Sequence, residues 1–133
     1  MARYLLDTNV CIAVMRNHAK VIKRIAAVPP GDCAVSTVTS YELFTGVEKC
    51  ANPAKERAKV ELLLKTIEEL PFDSAAARDA GRIRAILEAQ GQMIGTYDLL
   101  LAGQALTLSV TLVTANTKEF SRVPGILLDN WQV

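Results

Sequence analysis

Histidine is nearly absent from this chain, which has one, His18, in 133 residues, and aromatic side chains make up only 5% of it. His18 has no cysteine or histidine at metal-ligand spacing, so it reads as a lone solvent-facing side chain, and zinc chemistry or a Ser-His-Asp triad becomes hard to build. The three cysteines, Cys11, Cys33 and Cys50, are odd in number and far apart, which excludes a disulfide framework and fits reduced thiols in a cytoplasmic protein. An excess of either charge is also missing. Fifteen Lys and Arg against fourteen Asp and Glu leave a formal charge of +1, which argues against a uniformly basic coat for nucleic acid. A polyanion would have to meet local patches such as Lys20, Lys23 and Arg24, or Arg78, Arg82 and Arg84, each of which reads better as a solvated helix face. The first apolar segment is interrupted by Asp7 before it reaches signal-peptide length. One uncharged run, residues 99–117, is long enough to suggest a membrane span. Gly103, Gln104, Thr107, Ser109, Thr111, Thr114 and Asn116 break it up, so a buried helix followed by a buried strand explains it better, and no membrane association is expected.

What is present is an ordinary apolar content, 50%, in a chain long enough for one domain over 1–133 that buries roughly two thirds of its unfolded surface. Strand and helix patterns alternate along it. Strands are expected at 3–6, 33–35, weakly before Pro71, at 110–114 and around 126–128. Helices are expected at 9–16, 18–27, 38–49, 53–66, 74–89, 97–108 and, as a short turn, 117–120. The apolar stripes are Leu43 with Val47, then Val60, Leu63, Leu64 and Ile67, then Ala76, Ala80, Ile83 and Leu87, with Gly91 ending the last of these helices. Strands separated by helices imply an α/β fold with a mainly parallel central sheet covered on both faces.

Ligands in such sheets bind beyond the carboxyl ends of the strands, so polar residues that directly follow strands share one rim. Asp7 follows the first strand, Glu42 lies a turn into the helix after the second, and Asp98 begins the helix before strand 110–114. Asn116 and Glu119 follow that strand. Each has a purely structural reading beside this one. Asp7 can cap the first helix; Thr39 to Glu42 fits a capping box; Asp98 suits a helix dipole; Asn116 and Glu119 suit a turn. Several carboxylates on one rim would repel one another unless a cation shared the site, and Mg²⁺ or Mn²⁺ takes such oxygen ligands.

Four segments, LLDTNVCI, STVTSYELFTGVEK, IGTYDLLLAGQAL and LVTANTKEFSRVPGILLDNW, together resemble the PIN-domain ribonucleases, specifically the VapC-type toxins of bacterial toxin-antitoxin modules. The resemblance runs essentially the full length. It implies a three-layer α/β/α domain, usually a homodimer, that cuts RNA with Mg²⁺ or Mn²⁺ and is silenced in complex with a VapB antitoxin. It matches Asp7, Glu42 and Asp98 to the acidic catalytic and metal positions, with Thr8, Asn9 and Thr114 as polar support. The family's fourth acid falls at Asn116, so the chain departs there, and Glu119 is close enough to supply the missing charge. The chemistry implied is hydrolysis of a backbone phosphodiester to 5′-phosphate and 3′-hydroxyl ends, in tRNA or another structured RNA, where unpaired bases can be read. Two rivals remain. One is a catalytically weak PIN-fold module that binds RNA or protein, which Asn116 favours; the other is an aspartate phosphatase, which Asn9 disfavours because a second acid is wanted two residues after the first. If the acids serve a metal, Asp7→Ala and Asp98→Ala should both hold or raise stability without metal.

Overall fold

Strands only three or four residues long, apolar in the middle of the sheet and flanked by helices on both sides, organise the computed structural model, which describes residues 1–133. The order is β1 (Tyr4–Leu6), α1 (Thr8–Met15), α2 (Ala19–Ala26), a 3₁₀ turn at Pro30–Asp32, β2 (Cys33–Ser36), α3 (Thr37–Lys49), α4 (Pro53–Thr66), β3 (Glu68–Leu70), α5 (Ser74–Ala89), α6 (Thr96–Leu108), β4 (Thr111–Val113), α7 (Thr117–Phe120) and β5 (Leu127–Asp129). All strand pairings are parallel, in the order β3-β2-β1-β4-β5. Every expected element is present, with bounds within one or two residues of the sequence reading. The uncharged run 99–117 is the body of α6, then β4 and the loop after it, and no helix is long and apolar enough to cross a membrane.

Successive side chains of a strand point to opposite faces. Leu5, Ala34 and Leu112 therefore enter one core, with Ile83, Leu87, Leu99, Leu101, Ala102 and Phe120. Leu6, Val35 and Val113 enter the other, with Val10, Val21, Leu43, Val47, Val60, Leu63 and Trp131. The helices α5 and α6 cover the first face and α1 to α4 mainly the second, which gives the α/β/α layering. The chain runs from β1 outward to β2 and β3, then returns to place β4 on the other side of β1. That reversal makes the seam between β1 and β4 the switch point of the sheet. Leu6 pairs with both Val35 and Val113, so Asp7 and Thr114 stand side by side one step beyond β1 and β4, next to Ser36, the last residue of β2.

The α5–α6 pair is set by Gly103. A Cβ there would lie 2.6 Å from the Ala80 backbone nitrogen and 2.7 Å from its Cα, so the two backbones meet where only hydrogen fits. At Gly81, in α5, an added Cβ would meet nothing within 4 Å. Gly103→Ala should therefore destabilise the protein by about 2–3 kcal/mol through overpacking. Gly81→Ala should stabilise it by about 0.5–1 kcal/mol through helix propensity. Urea unfolding of the two variants checks the opposite signs.

Candidate active site

The end of β1 fixes Asp7. Its N–H donates to the Val113 carbonyl at 3.0 Å, the residue is 6% exposed, and one carboxylate oxygen accepts the Val10 N–H at 2.9 Å as the N-cap of α1. Burial raises its pKa, while the Thr114 hydroxyl and the N–H groups of Val10 and Asn9 favour the charge, and the Glu42 carboxylate opposes it. Asp7 thus caps a helix and stands at the sheet's rim at once.

Glu42 does not complete a capping box. The N-cap of α3 is Ser36, whose hydroxyl accepts the Val38 N–H at 3.0 Å, because β2 runs as far as Ser36 and the helix starts directly after it. Glu42 is consequently in the second turn, where its carboxylate accepts the Thr8 hydroxyl at 2.6 Å; the same hydroxyl lies 3.5 Å from that of Thr39. Asp98 is in the first turn of α6, behind Gly95, which offers no side-chain cap. Its Oδ2 lies 3.4 Å from where a Gly95 Cβ would stand, and nothing in the chain donates a hydrogen bond to it. Burial pushes the Asp98 carboxyl up to about 6, and the charges of Glu119, Asp7 and Glu42 add to that rise. On the far side of β4, the Thr114 hydroxyl accepts the Asn116 N–H, and the Asn116 amide donates to Glu119, both at 3.0 Å.

The structure therefore gathers Asp7, Glu42, Asp98 and Glu119 into one electrostatic neighbourhood, with Thr8, Thr114 and Asn116 bonded to members of it. The Asn9 side chain is exposed and contributes only its backbone N–H. His18 is also exposed, and its Nδ1 accepts the Val21 N–H at 3.4 Å as the cap of α2. The chain forms five ion pairs, and none includes any of the four acids, although fifteen Lys and Arg are available. As they stand, no three acidic, histidine or cysteine groups make a ready metal cage. Thr8 and Asn116 hold Glu42 and Glu119 while leaving their charge in place. An all-oxygen donor set, uncompensated negative charge and a half-buried carboxylate without a donor fit a hard divalent cation.

A family model described as the PIN domain matches residues 4–126. The chain belongs to the PIN-domain family. Curated PIN-domain relatives include the tRNA(fMet)-specific endonuclease VapC of Shigella flexneri, 37% identical over 98% of this chain and 99% of the relative. Ribonuclease VapC2 of Rickettsia felis is 33% identical over 96% of this chain and 97% of its own length. Among solved structures, DNA-bound VapBC from Salmonella typhimurium superposes with a TM-score of 0.94 at 36% identity, covering 98% of this chain and 99% of that one. PIN-domain nucleases in general depend on divalent metal ions, and the oxygen-rich rim agrees with that.

Two residues beside the acids were not singled out by the sequence reading. Tyr41 and Tyr97 immediately precede Glu42 and Asp98, and their rings meet across α3 and α6. The repeated Tyr-acid-Leu triplet, YEL at 41–43 and YDL at 97–99, was the available signal.

The geometry separates two acids, Asp7 and Asp98, whose loss the sequence treats alike. Asp98→Asn removes a charge that nothing compensates, and should stabilise the metal-free protein by about 1 kcal/mol, allowing for the half-exposed position. Asp7→Ala also removes the α1 cap, at a cost of about 0.5–2 kcal/mol. Thermal melts in a chelator should place Asp98→Asn above wild type and Asp7→Ala clearly below Asp98→Asn.

Proposed function

We propose that this chain is the toxin of a VapBC-type toxin-antitoxin pair, a divalent-metal-dependent endoribonuclease that hydrolyses RNA phosphodiester bonds and is held inactive by a VapB-type antitoxin in the cytoplasm. The observation that supports it best is the gathering of four carboxylates at the β1–β4 switch point without one basic partner. Asp7, Glu42 and Asp98 would hold Mg²⁺ or Mn²⁺, with Glu119 and the Asn116 carbonyl at the adjoining edge. When bound, such a cation neutralises phosphate charge and makes a coordinated water nucleophilic near neutral pH.

The chain's own part is positioning. Val10 and Asn9 N–H groups and the Thr114 hydroxyl hold the Asp7 carboxylate at the seam, Thr8 turns Glu42 toward it, and Asn116 restrains Glu119. The half-buried setting of Asp98 strengthens its interaction with any cation that enters. The Shigella relative's name supplies the substrate class carried over here, tRNA, and the Salmonella complex supplies the antitoxin.

Asn116 favours a second reading, a PIN-fold module that binds RNA with little cleavage, because an amide gives a weaker hard-ion ligand than a carboxylate. Labelled tRNA incubated with Mg²⁺, with Mn²⁺ and with EDTA separates the two. Cleavage should require metal and fall at least about a hundred-fold in Asp98→Asn, the scale expected when electrostatic stabilisation of the transition state is lost. RNA binding without metal-dependent cleavage would establish the module instead. In Mg²⁺ titrations, Asn116→Asp should lower the half-maximal concentration and Glu119→Gln should raise it. Identical midpoints in all three proteins would show that this edge binds no metal.

The uncompensated acids also bear on the antitoxin. A basic antitoxin side chain placed near Asp7 and Asp98 would gain the partner that the chain itself withholds. Antitoxin and RNA should therefore compete, and increasing RNA should weaken the antitoxin's apparent affinity. An antitoxin that binds tightly while leaving cleavage intact would rule this out.

A further inference from the structure

Seven large hydrophobic side chains are exposed, among them the terminal Met1 and Val133; only two of the seven are aromatic, and those two touch each other. Tyr41 and Tyr97 are 57% and 41% exposed, yet the Tyr97 hydroxyl donates to that of Tyr41 at 3.0 Å and the ring centroids lie 5.5 Å apart, tilted by 53°. The other aromatic residues, Tyr4, Phe44, Phe72, Phe120 and Trp131, are buried or half-buried. In a chain so poor in aromatics, this pair leaves apolar area exposed and packs chiefly against itself. Adjacent helical residues point about 100° apart. Glu42 and Asp98 thus turn into the acidic rim while Tyr41 and Tyr97 stand on its outer edge, one from each of the two helices that carry those acids.

We propose that Tyr41 and Tyr97 form a stacking edge for an unpaired base of the RNA, one nucleotide or so from the phosphate that a divalent cation at Asp7, Glu42 and Asp98 would hold. This rests on the ribonuclease reading above and deepens it by naming single-stranded loop nucleotides as what the site grips. The base of a nucleotide lies one sugar away from its phosphate, so a strand whose backbone enters the rim carries its bases past the rim's edge. In a duplex those bases are already stacked within the helix; in a loop their faces are free. The tilt lets one ring stack face-on while the other supports it from the side. The mutual hydroxyl bond braces both rings before RNA arrives, which reduces the ordering cost of binding. Stacking accepts any base, so the edge adds affinity for unpaired RNA and leaves sequence choice to other contacts.

The test uses a labelled RNA hairpin that the wild type cleaves with Mg²⁺ or Mn²⁺. Tyr41→Ala and Tyr97→Ala should raise KM by about 5- to 100-fold per stacked base, the range that alanine substitution gives for base–aromatic stacks. The loss in kcat should be far smaller. Tyr97→Phe, which keeps the ring, should recover most of the loss. Abasic replacements walked through the loop provide the decisive cycle: one of them should weaken binding to cleavage-inactive Asp98→Asn protein, yet weaken Asp98→Asn/Tyr97→Ala little further. Wild-type KM in both alanine variants, with their melts unchanged, would overturn the proposal. So would sedimentation showing that the variants lose a dimer that the wild type forms, since the pair would then be a contact between copies of the chain. If the wild type cleaves no RNA with either metal, the nuclease reading falls as well, an outcome distinct from intact cleavage with an unaltered KM.

Discussion

The Asp7 carboxylate is the group on which the rest of the site depends, because it is buried at the one place where the sheet opens. Its backbone is locked into the β1–β4 seam through Val113, so it cannot swing out to water as a surface aspartate would. A charge in that position is tolerated only if hydrogen bonds to its ionised form replace lost solvent. The start of α1 supplies two backbone donors, and Thr114, directly after β4, supplies a third group. The direction of α1 and the conformation of the chain after β4 are thus both tied to one carboxylate. A cap that any Ser or Asn could provide has been given to the residue type that also attracts a cation.

Around Asp7 the molecule restrains charges without cancelling them. Glu42 and Glu119 are held by a hydroxyl and an amide, both neutral donors, and Asp98 is held by nothing. A lysine or arginine at any of these positions would be worth more to the metal-free fold, as a charge-assisted bond, and would occupy the place a cation needs. The ion pairs of the chain lie elsewhere, on solvated helix surfaces and at the Arg24–Asp129 tether beside Trp131. Stability withheld at the rim would be available as affinity for a positive partner of the kind proposed, cation or basic side chain.

The layering was legible because it is written in local periodicity. Leu5 and Leu6, Ala34 and Val35, and Leu112 and Val113 are adjacent apolar pairs that only a strand buried on both faces can use, and the helix stripes named from sequence are buried or half-buried as expected. The strand-end rule likewise drew attention to Asp7, Glu42, Asp98 and Asn116 before any geometry. The capping box at Thr39 failed for a local reason. Ser36, Thr37, Thr39 and Ser40 all have a capping side chain or one close to it, and the choice among them is made by where β2 stops, which depends on pairing with β1 and β3. The contacts of Gly103 with Ala80 and of Tyr41 with Tyr97 are not readable from sequence for a different reason, although the repeated Tyr-acid-Leu triplet marks the two tyrosines themselves. Both contacts join different helices, consecutive ones for Gly103 and Ala80 and ones 56 residues apart for the tyrosines, and no periodicity within one helix encodes them.

Asn116 shows how these constraints combine. A carboxylate at that position would face Glu119, from which Asn116 now stands 3.0 Å away, and would add another charge to the set that already raises Asp98. The amide turns the same contact from repulsive to bonding, and its carbonyl oxygen remains a neutral donor for a hard ion. Charge at this edge has in effect moved three residues along, from the turn after β4 to the first turn of α7, where Glu119 reaches the rim from a helix. The site keeps its oxygen-rich edge with one fewer charge to accommodate. At Asp98, which nothing in the chain compensates, the charge that would attract a cation is a cost to the metal-free fold, and the amide of Asn116 spares that fold a further charge at the rim.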